Sequence, residues 1–199
     1  IVTADNVDKT KTEDQKQPVS SNLIENENYL KEKLGIGISF DVGVRKLSIL
    51  DKELQIYFVN GLCDIQYIIE MLKELMFLDA TERRKLRVRE QIENRLTHVQ
   101  VAHAKTLNEA CDQMLSGLIF ILIEGETEAI IIDVRSYPGR VAEEAYTERV
   151  VRGARDGFKD NIIENTALTR RRIRDERVRH EMMQVGTRSK TDICIAYIN

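Results

Sequence analysis

The sequence predicts a layered α/β fold, in which a subdomain with a mixed sheet is followed by an arginine-rich helix and the start of a second, similar subdomain. Strand-like runs alternate with amphipathic helical segments between residues 22 and 134, the pattern of a sheet packed against helices. One run, 118–123, is apolar at every position, as a strand covered on both faces is, and 129–134 is predicted as a second such strand. Of the 199 residues, 42% are hydrophobic, which excludes a wholly disordered chain.

The first predicted elements are a tail, a helix and a hairpin. Residues 1–21 are mostly polar and predict a disordered tail. Asn22 and Gly35 are start and stop signals for a helix over 23–34. The β-branched and aromatic residues within 44–59 predict a hairpin with a three-residue connection.

Three helices and a short strand are predicted next. The helix over 64–76 has a complete apolar stripe, and the densely charged segment 81–96 predicts a solvated helix. A strand near 98–102 leads to a helix that Thr106 begins and Gly117 ends. The stripe of the first of these helices consists of Ile65, Ile68, Ile69, Leu72, Leu75 and Met76.

The sign of the charge changes along the chain. Residues 1–134 hold 16 Lys and Arg against 23 Asp and Glu, a balance of −7, whereas residues 135–190 hold 14 against 9, a balance of +5. A helix capped by Asp160 and two further strands follow a glycine-containing loop. The predicted organisation is a disordered tail, a first α/β subdomain, a linker loop and a truncated second subdomain, over residues 1–21, 22–137, 138–159 and 160–199.

Two short matches hint at an internal repeat. Residues 41–44 resemble 192–195, and residues 58–60 resemble 197–199. Matches of this length also arise by chance, so this pattern alone does not decide whether part of the chain is duplicated.

Arg152 and Arg155 lie in a loop beside two glycines. Guanidinium groups and exposed backbone N–H groups can together bind a phosphate or a carboxylate. No phosphate-binding or dinucleotide-binding motif accompanies them. The competing interpretation is that both arginines pair with acidic residues nearby while the glycines form turns.

Arg170 and Arg174 lie on the same side of the predicted helix as Ala167. A guanidinium on an otherwise apolar stripe needs a carboxylate, a carbonyl or an anion. We therefore predict that both are interface or inter-segment anchors, whereas Arg171 and Arg172 are solvated.

Several functions are disfavoured. A pI near 5.8 and the lack of tryptophan disfavour nucleic-acid binding, and six residues is the longest apolar run, against roughly 20 for a membrane helix. Asp133 is the only carboxylate in a typical active-site position, and no nucleophile motif accompanies it, so no enzyme and no cofactor are predicted. Cys63, Cys111 and Cys194 predict reduced thiols, and the three histidines carry no metal-binding spacing.

Several segments resemble the signature region of the A subunits of the GerA family of bacterial spore germinant receptors. The segments that carry the resemblance are 150–158, 165–174 and 185–192, and it extends upstream to Asp41. Segments 40–45, 57–64 and 136–140 are similar to the stage V sporulation protein AF branch of that family. Ala154 departs from the family pattern, since members often have proline there, and this leaves the loop less rigid.

The resemblance implies a soluble amino-terminal region, built of two similar α/β subdomains, that precedes a multi-helix membrane domain absent from this chain. We expect a regulatory and assembly region of a germination protein of the spore inner membrane, facing the cytoplasm or spore core and associated with an ion channel. The expected partners are other subunits of the same membrane complex, in a homo-oligomer. The alternative is a small-ligand sensor in which Arg152, Arg155 and Arg170 bind an anion. No catalytic residue is implied.

Overall fold

A five-stranded sheet lies at the centre of the structure, a computed structural model that describes residues 16–49, 51–76, 87–96, 100–136 and 157–199. In spatial order, the strands are β1 (Val42–Ile49), β2 (Lys52–Val59), β4 (Ile119–Ile123), β5 (Ala129–Ile132) and β3 (Val101–Ala104). The predicted α/β fold class is confirmed. The sheet is antiparallel at all four pairings rather than mixed, because β3 and β4, which a helix connects, are not neighbours but lie on either side of β5.

Helices cover both faces of this sheet. The helices α1 (Leu23–Leu34) and α4 (Leu107–Leu115) pack on one face, and α2 (Ile65–Met76) and α3 (Val88–Arg95) pack on the other. Strands β4 and β5 are buried at every position because helices cover them on both sides. We call α1 to β5 the first unit.

The ends of several elements differ from the predicted ones. The β1–β2 connection has two residues rather than three, with Asp51 at a positive φ of 62°. The predicted tail also ends earlier, because Val19 is buried and its N–H donates to the Lys105 carbonyl. Residues 16–21 therefore pack on the first unit, whereas residues 1–15 lie outside the described ranges.

Helix α2 buries only part of its predicted stripe. Ile68, Met71 and Leu75 face the sheet, whereas Ile65 and Ile69 are exposed. The apolar residues of α2 therefore form two faces. One packs against the sheet, and the other is exposed.

The chain ends with a helix and a hairpin, α5 (Ile162–Arg172), β6 (Val178–Val185) and β7 (Thr191–Ile198), which we call the C-terminal segment. Strands β6 and β7 pair only with each other among the described strands. Most of their residues are exposed apart from the first three of β6, so the segment meets the first unit at α5 and the start of β6.

The C-terminal segment repeats α1, β1 and β2. Asn22 and Asn161 each cap a helix with the side-chain oxygen, Asn161 in place of the predicted Asp160. The same sequence separation divides Asn60 from Asn199. The Asn60 N–H donates to the Asp41 carbonyl, and the Asn199 N–H donates to the Arg177 carbonyl.

A second asparagine repeats inside the two helices. Asn26 bonds both the N–H and the carbonyl of Ser20, and Asn165 bonds both groups of Lys159 in the same way. The match between residues 58–60 and 197–199 is therefore structural. That between 41–44 and 192–195 is not, because Asp192 lies within β7 whereas Asp41 precedes β1.

Across the described residues, every helix is too short or too polar to cross a bilayer.

Cysteine labelling reports on this packing. Burial raises the pKa of the Cys63 thiol to about 11 and that of the Cys111 thiol to about 12. Thiolates are the reactive species, so at pH 8 we expect iodoacetamide to modify the half-buried Cys194 well before the other two. Mass spectrometry of the native protein checks this, and equal rates at all three thiols would contradict the packing.

Candidate functional site

Arg170 ties the C-terminal segment to the first unit. The side chain is 1% exposed; its Nε donates to Asp41 Oδ2 over 2.8 Å and its Nη2 to Asp41 Oδ1 over 3.1 Å. Such two-point binding of a carboxylate fixes orientation as well as distance. Nη2 also donates to the Val178 carbonyl and Nη1 to the Asp175 carbonyl. One side chain thus holds the first unit, the end of α5 and the start of β6 together.

Asp41 is the acceptor at the centre of this contact. It lies in the turn before β1, where the Ser39 hydroxyl donates to Oδ1 over 2.6 Å. His180, fully buried at the start of β6, places Nδ1 3.0 Å from Oδ2. We call Ser39, Asp41, Arg170 and His180 the joint.

Backbone contacts reinforce the joint. The His180 N–H donates to Ser39 Oγ over 2.9 Å, and the Phe40 N–H donates to the His180 carbonyl over 3.0 Å. The first residues of β6 therefore run beside the segment that enters β1. This contact satisfies backbone groups that burial would otherwise leave unpaired.

A second buried arginine lies next to the joint. The Nη2 of Arg179 donates to the carbonyls of Glu32 and Lys33, at the end of α1. A cation is favourable there because the last carbonyls of a helix carry partial negative charge. Gly35 makes room for it, since a Cβ at that position would lie 2.2 Å from the Arg179 Nε.

Gly61 lets α5 approach the sheet. It has a φ of +83°, and a Cβ there would lie 2.8 Å from the Cβ of Ala167 and 3.3 Å from the Ile163 carbonyl oxygen. Ala167 is buried in the core of the first unit. The turn after β2 is therefore the surface on which α5 rests.

The predicted site residues fall in different places. Arg170 is in the joint, whereas Arg174 is exposed, because α5 ends at Arg172 and the helical periodicity does not reach it. Arg152 and Arg155 lie outside the described residues. In the alternative prediction, an anion-binding sensor, Arg170 would bind the anion. In the structure its guanidinium is bound to the Asp41 carboxylate instead.

The candidate catalytic carboxylate is also paired. Both oxygens of Asp133 accept from the side chain of Arg135, two residues further on. The pair lines a shallow groove beside α4. Among the described residues, no group of three or more His, Cys, Asp and Glu side chains could hold a metal ion.

Sequence reasoning missed four of the residues that build this site: Ser39, Asp41, His180 and Arg179. Asp41 is 129 positions away from Arg170, and no local pattern connects two residues so far apart. The repeat seen in the sequence provided no signal for it, because that repeat set Asp41 against Asp192. In the structure the residue equivalent to Asp41 is Arg177, since the Asn60 N–H donates to the Asp41 carbonyl and the Asn199 N–H to the Arg177 carbonyl.

The pKa of Asp41 predicts how acid affects the joint. Burial alone would raise it, but the contacts from His180, Arg170 and Ser39 outweigh burial and hold the pKa below its usual range. A carboxyl whose pKa is lower in the folded state stabilises the fold above its unfolded pKa, near 3.9, and loses that contribution as the pH falls further.

Urea unfolding of the native chain and of Asp41→Asn checks this effect. We expect a constant difference in the free energy of unfolding between pH 7 and pH 5. It should shrink below about pH 4, where the Asp41 carboxyl of the unfolded chain begins to take up a proton while that of the folded chain stays charged. An equal difference at pH 7 and pH 3 would contradict the role of the charge.

A family model and the similar proteins of known sequence all point to one family of spore germination proteins. The family model described as Bacillus/Clostridium GerA spore germination protein matches residues 28–199. The chain is 55% identical to stage V sporulation protein AF of Bacillus subtilis (strain 168) over 93% of its length. It is 26% identical to spore germination protein KA of the same organism over 86% of its length. It spans 38% and 32% of these two relatives.

A solved structure has the same fold. It is the crystal structure of the N-terminal domain of the A subunit of the Bacillus megaterium spore germinant receptor GerK3. The TM-score is 0.71 at 23% sequence identity, and the match covers 92% of this chain and 67% of that chain. At this identity the likeness establishes the fold.

Proposed function

Because the chain belongs to the GerA family of Bacillus/Clostridium spore germination proteins, we propose that it is the amino-terminal assembly and regulatory region of a germination protein of the spore inner membrane. In this proposal the region faces the cytoplasm or spore core, and the full-length protein is a subunit of an ion-conducting complex. It acts by positioning neighbouring parts of the complex, and it has no catalytic role.

The joint is the observation that carries this proposal. A buried ion pair adds little net stability compared with apolar packing, but it fixes relative orientation because breaking it leaves a buried charge alone. Asp41 and Arg170 are each about 1% exposed in their side chains. A rigid connection of this kind suits a region that transmits a change of position from one subdomain to the next.

The exposed hairpin supports a two-subdomain organisation, with 160–199 as the start of the second. One face of β6 and β7 carries partly exposed apolar side chains: Met183, Val185, Ile193, Ile195 and Tyr197. By the repeat, Ile193 and Ile195 correspond to Leu54 and Ile56, which are fully buried on the α2 side of the sheet. We propose that a helix equivalent to α2 covers this hairpin in the full-length protein.

The test uses Arg170→Ala in the full-length protein, expressed in spores that lack the native gene. We expect germination, measured by loss of optical density, to slow by more than any fall in the amount of protein in the inner-membrane fraction, measured by immunoblot, accounts for. Arg174→Ala is the matched control and should germinate as the native strain does.

Two outcomes would overturn the proposal. A tagged full-length protein that fractionates as soluble would remove the membrane role. Spores that germinate normally after deletion of the gene would remove the role in germination.

A further inference from the structure

The turn that follows β2 contains Asn60 and Gly61, the only asparagine–glycine pair in the chain. The side-chain amide of an asparagine and the backbone nitrogen of the next residue can react with each other. A following glycine makes this reaction fastest, because it has no side chain to hinder the approach of the two groups. Asn60 is therefore the asparagine that its sequence neighbour makes most reactive.

The reaction replaces the side-chain amide of Asn60 by a carboxyl group. The Gly61 backbone nitrogen gives its proton to a base and bonds to the Asn60 Cγ. The bond from Cγ to Nδ2 breaks, and Nδ2 takes up a proton and leaves as ammonia. Water then opens the resulting succinimide ring. Opening at Cγ gives aspartate, whereas opening at the backbone carbonyl carbon gives isoaspartate, in which the main chain runs through Cβ and Cγ.

The folded turn keeps the two reacting groups apart. The Leu62 N–H donates to the Val59 carbonyl over 3.2 Å, and of the two residues between them only Gly61, at φ +83°, has a positive φ. This is the pattern of a type II turn, in which the residue at the Asn60 position has a ψ of about +120°. At this angle the Asn60 carbonyl oxygen, rather than the Gly61 nitrogen, lies on the side of the Asn60 side chain. The ring can close only after the peptide plane between the two residues has turned.

Contacts on both sides hold that peptide plane in place. The Asn60 N–H donates to the Asp41 carbonyl over 2.8 Å, and Nδ2 of the Asn60 side chain donates to the Phe40 carbonyl over 3.4 Å. On the other side α5 lies close against Gly61, where an added Cβ would lie 2.8 Å from the Ala167 Cβ. The turn is therefore held in its unreactive conformation while α5 rests on it.

We propose that Asn60 is a deamidation site that the docked C-terminal segment protects, and that it becomes reactive when this segment detaches from the first unit. Detachment removes α5 from Gly61 and Arg170 from Asp41, and so frees the turn on both sides. Different regions of a fold open with different free energies, so this local opening is sufficient for the reaction. The inference rests on the contacts of the turn and holds whether or not the proposed role in germination is correct.

The product prevents the segment from docking as before. Isoaspartate adds a carbon atom to the main chain of the turn that supports α5. Either product replaces the Asn60 amide by a carboxylate, which has no proton to donate to the Phe40 carbonyl. Detachment therefore leaves a lasting chemical change at residue 60.

Peptide mapping by mass spectrometry, which separates asparagine from its two products, tests the proposal on the 199-residue chain at pH 8. Conversion of Asn60 should be fastest in the native sequence unfolded in urea and slowest in the folded native chain. Arg170→Ala should react about tenfold faster than the folded native chain, or more, because the rate follows the population of the open form. Arg174→Ala is the matched control and should react as the native chain does.

A second measurement needs no variant. The deamidation rate in urea divided by the rate in the folded chain gives the protection of Asn60, and hydrogen exchange gives the protection of the amides of β4, the middle strand of the sheet. Asn60 should be protected about tenfold less than β4, or weaker still, because detachment of the C-terminal segment leaves the first unit folded. Equal protection at the two places would mean that the reaction requires global unfolding. That result, equal rates in the folded and the unfolded chain, or equal rates in Arg170→Ala and Arg174→Ala would overturn the proposal.

Discussion

Replacing Arg170 by alanine is expected to lower the free energy of unfolding by about 3–5 kcal/mol, the cost of removing one partner from a buried ion pair. The substitution leaves the Asp41 carboxylate buried with His180 and Ser39 but without its two-point donor. It also removes donors from the carbonyls of Val178 and Asp175. Urea unfolding followed by far-ultraviolet circular dichroism measures the change.

Arg174→Ala is the matched control for this variant. Arg174 belongs to the same run of arginines but is exposed, so its loss should change the free energy of unfolding by no more than about 0.5 kcal/mol. Equal effects of the two substitutions would mean that the arginines act through charge density alone.

Replacing Gly61 by alanine is expected to cost about 2–4 kcal/mol. The left-handed backbone at φ +83° strains any residue with a Cβ by about 1 kcal/mol or more, and the added atom would lie 2.8 Å from the Ala167 Cβ. Helix α5 must move outward to relieve this contact, and overpacking of this kind costs about 1–3 kcal/mol. Chemical denaturation measures the total.

Gly37→Ala separates strain from crowding. Gly37 has a similar φ of +92°, but no atom lies within 4 Å of the position of its missing Cβ. This variant should therefore show the backbone strain alone, about 1 kcal/mol. If the two variants lose the same stability, the close approach of α5 to the turn after β2 contributes nothing.

The parts of the fold that local chemistry decides could be predicted from the sequence. The bounds of α1 follow from the cap at Asn22 and the left-handed Gly35, and both act within one helical turn. The strand β4 follows from its uninterrupted apolar run. The requirement of Arg170 for a partner follows from its position beside Ala167 on a side of α5 that is otherwise apolar.

The parts that long-range contacts decide could not be predicted in the same way. Nothing near Asp41 in the sequence indicates that it accepts from a helix 129 positions later. The antiparallel order of the sheet depends on the placement of β5 between β3 and β4, which periodicity does not encode. The apolar residues of α2 looked like one stripe because spacing alone does not tell a core face from an exposed one.

The most direct test of the central claim, that Asp41 and Arg170 lock the C-terminal segment to the first unit, is a double-mutant cycle. Asp41→Ala, Arg170→Ala and the double variant are compared with the native chain by urea unfolding at pH 7. We predict that the double variant is more stable than the sum of the single losses implies, with a coupling energy of about 2–3 kcal/mol. Losses that add to within about 0.5 kcal/mol would show that the two residues act independently, and would contradict the claim.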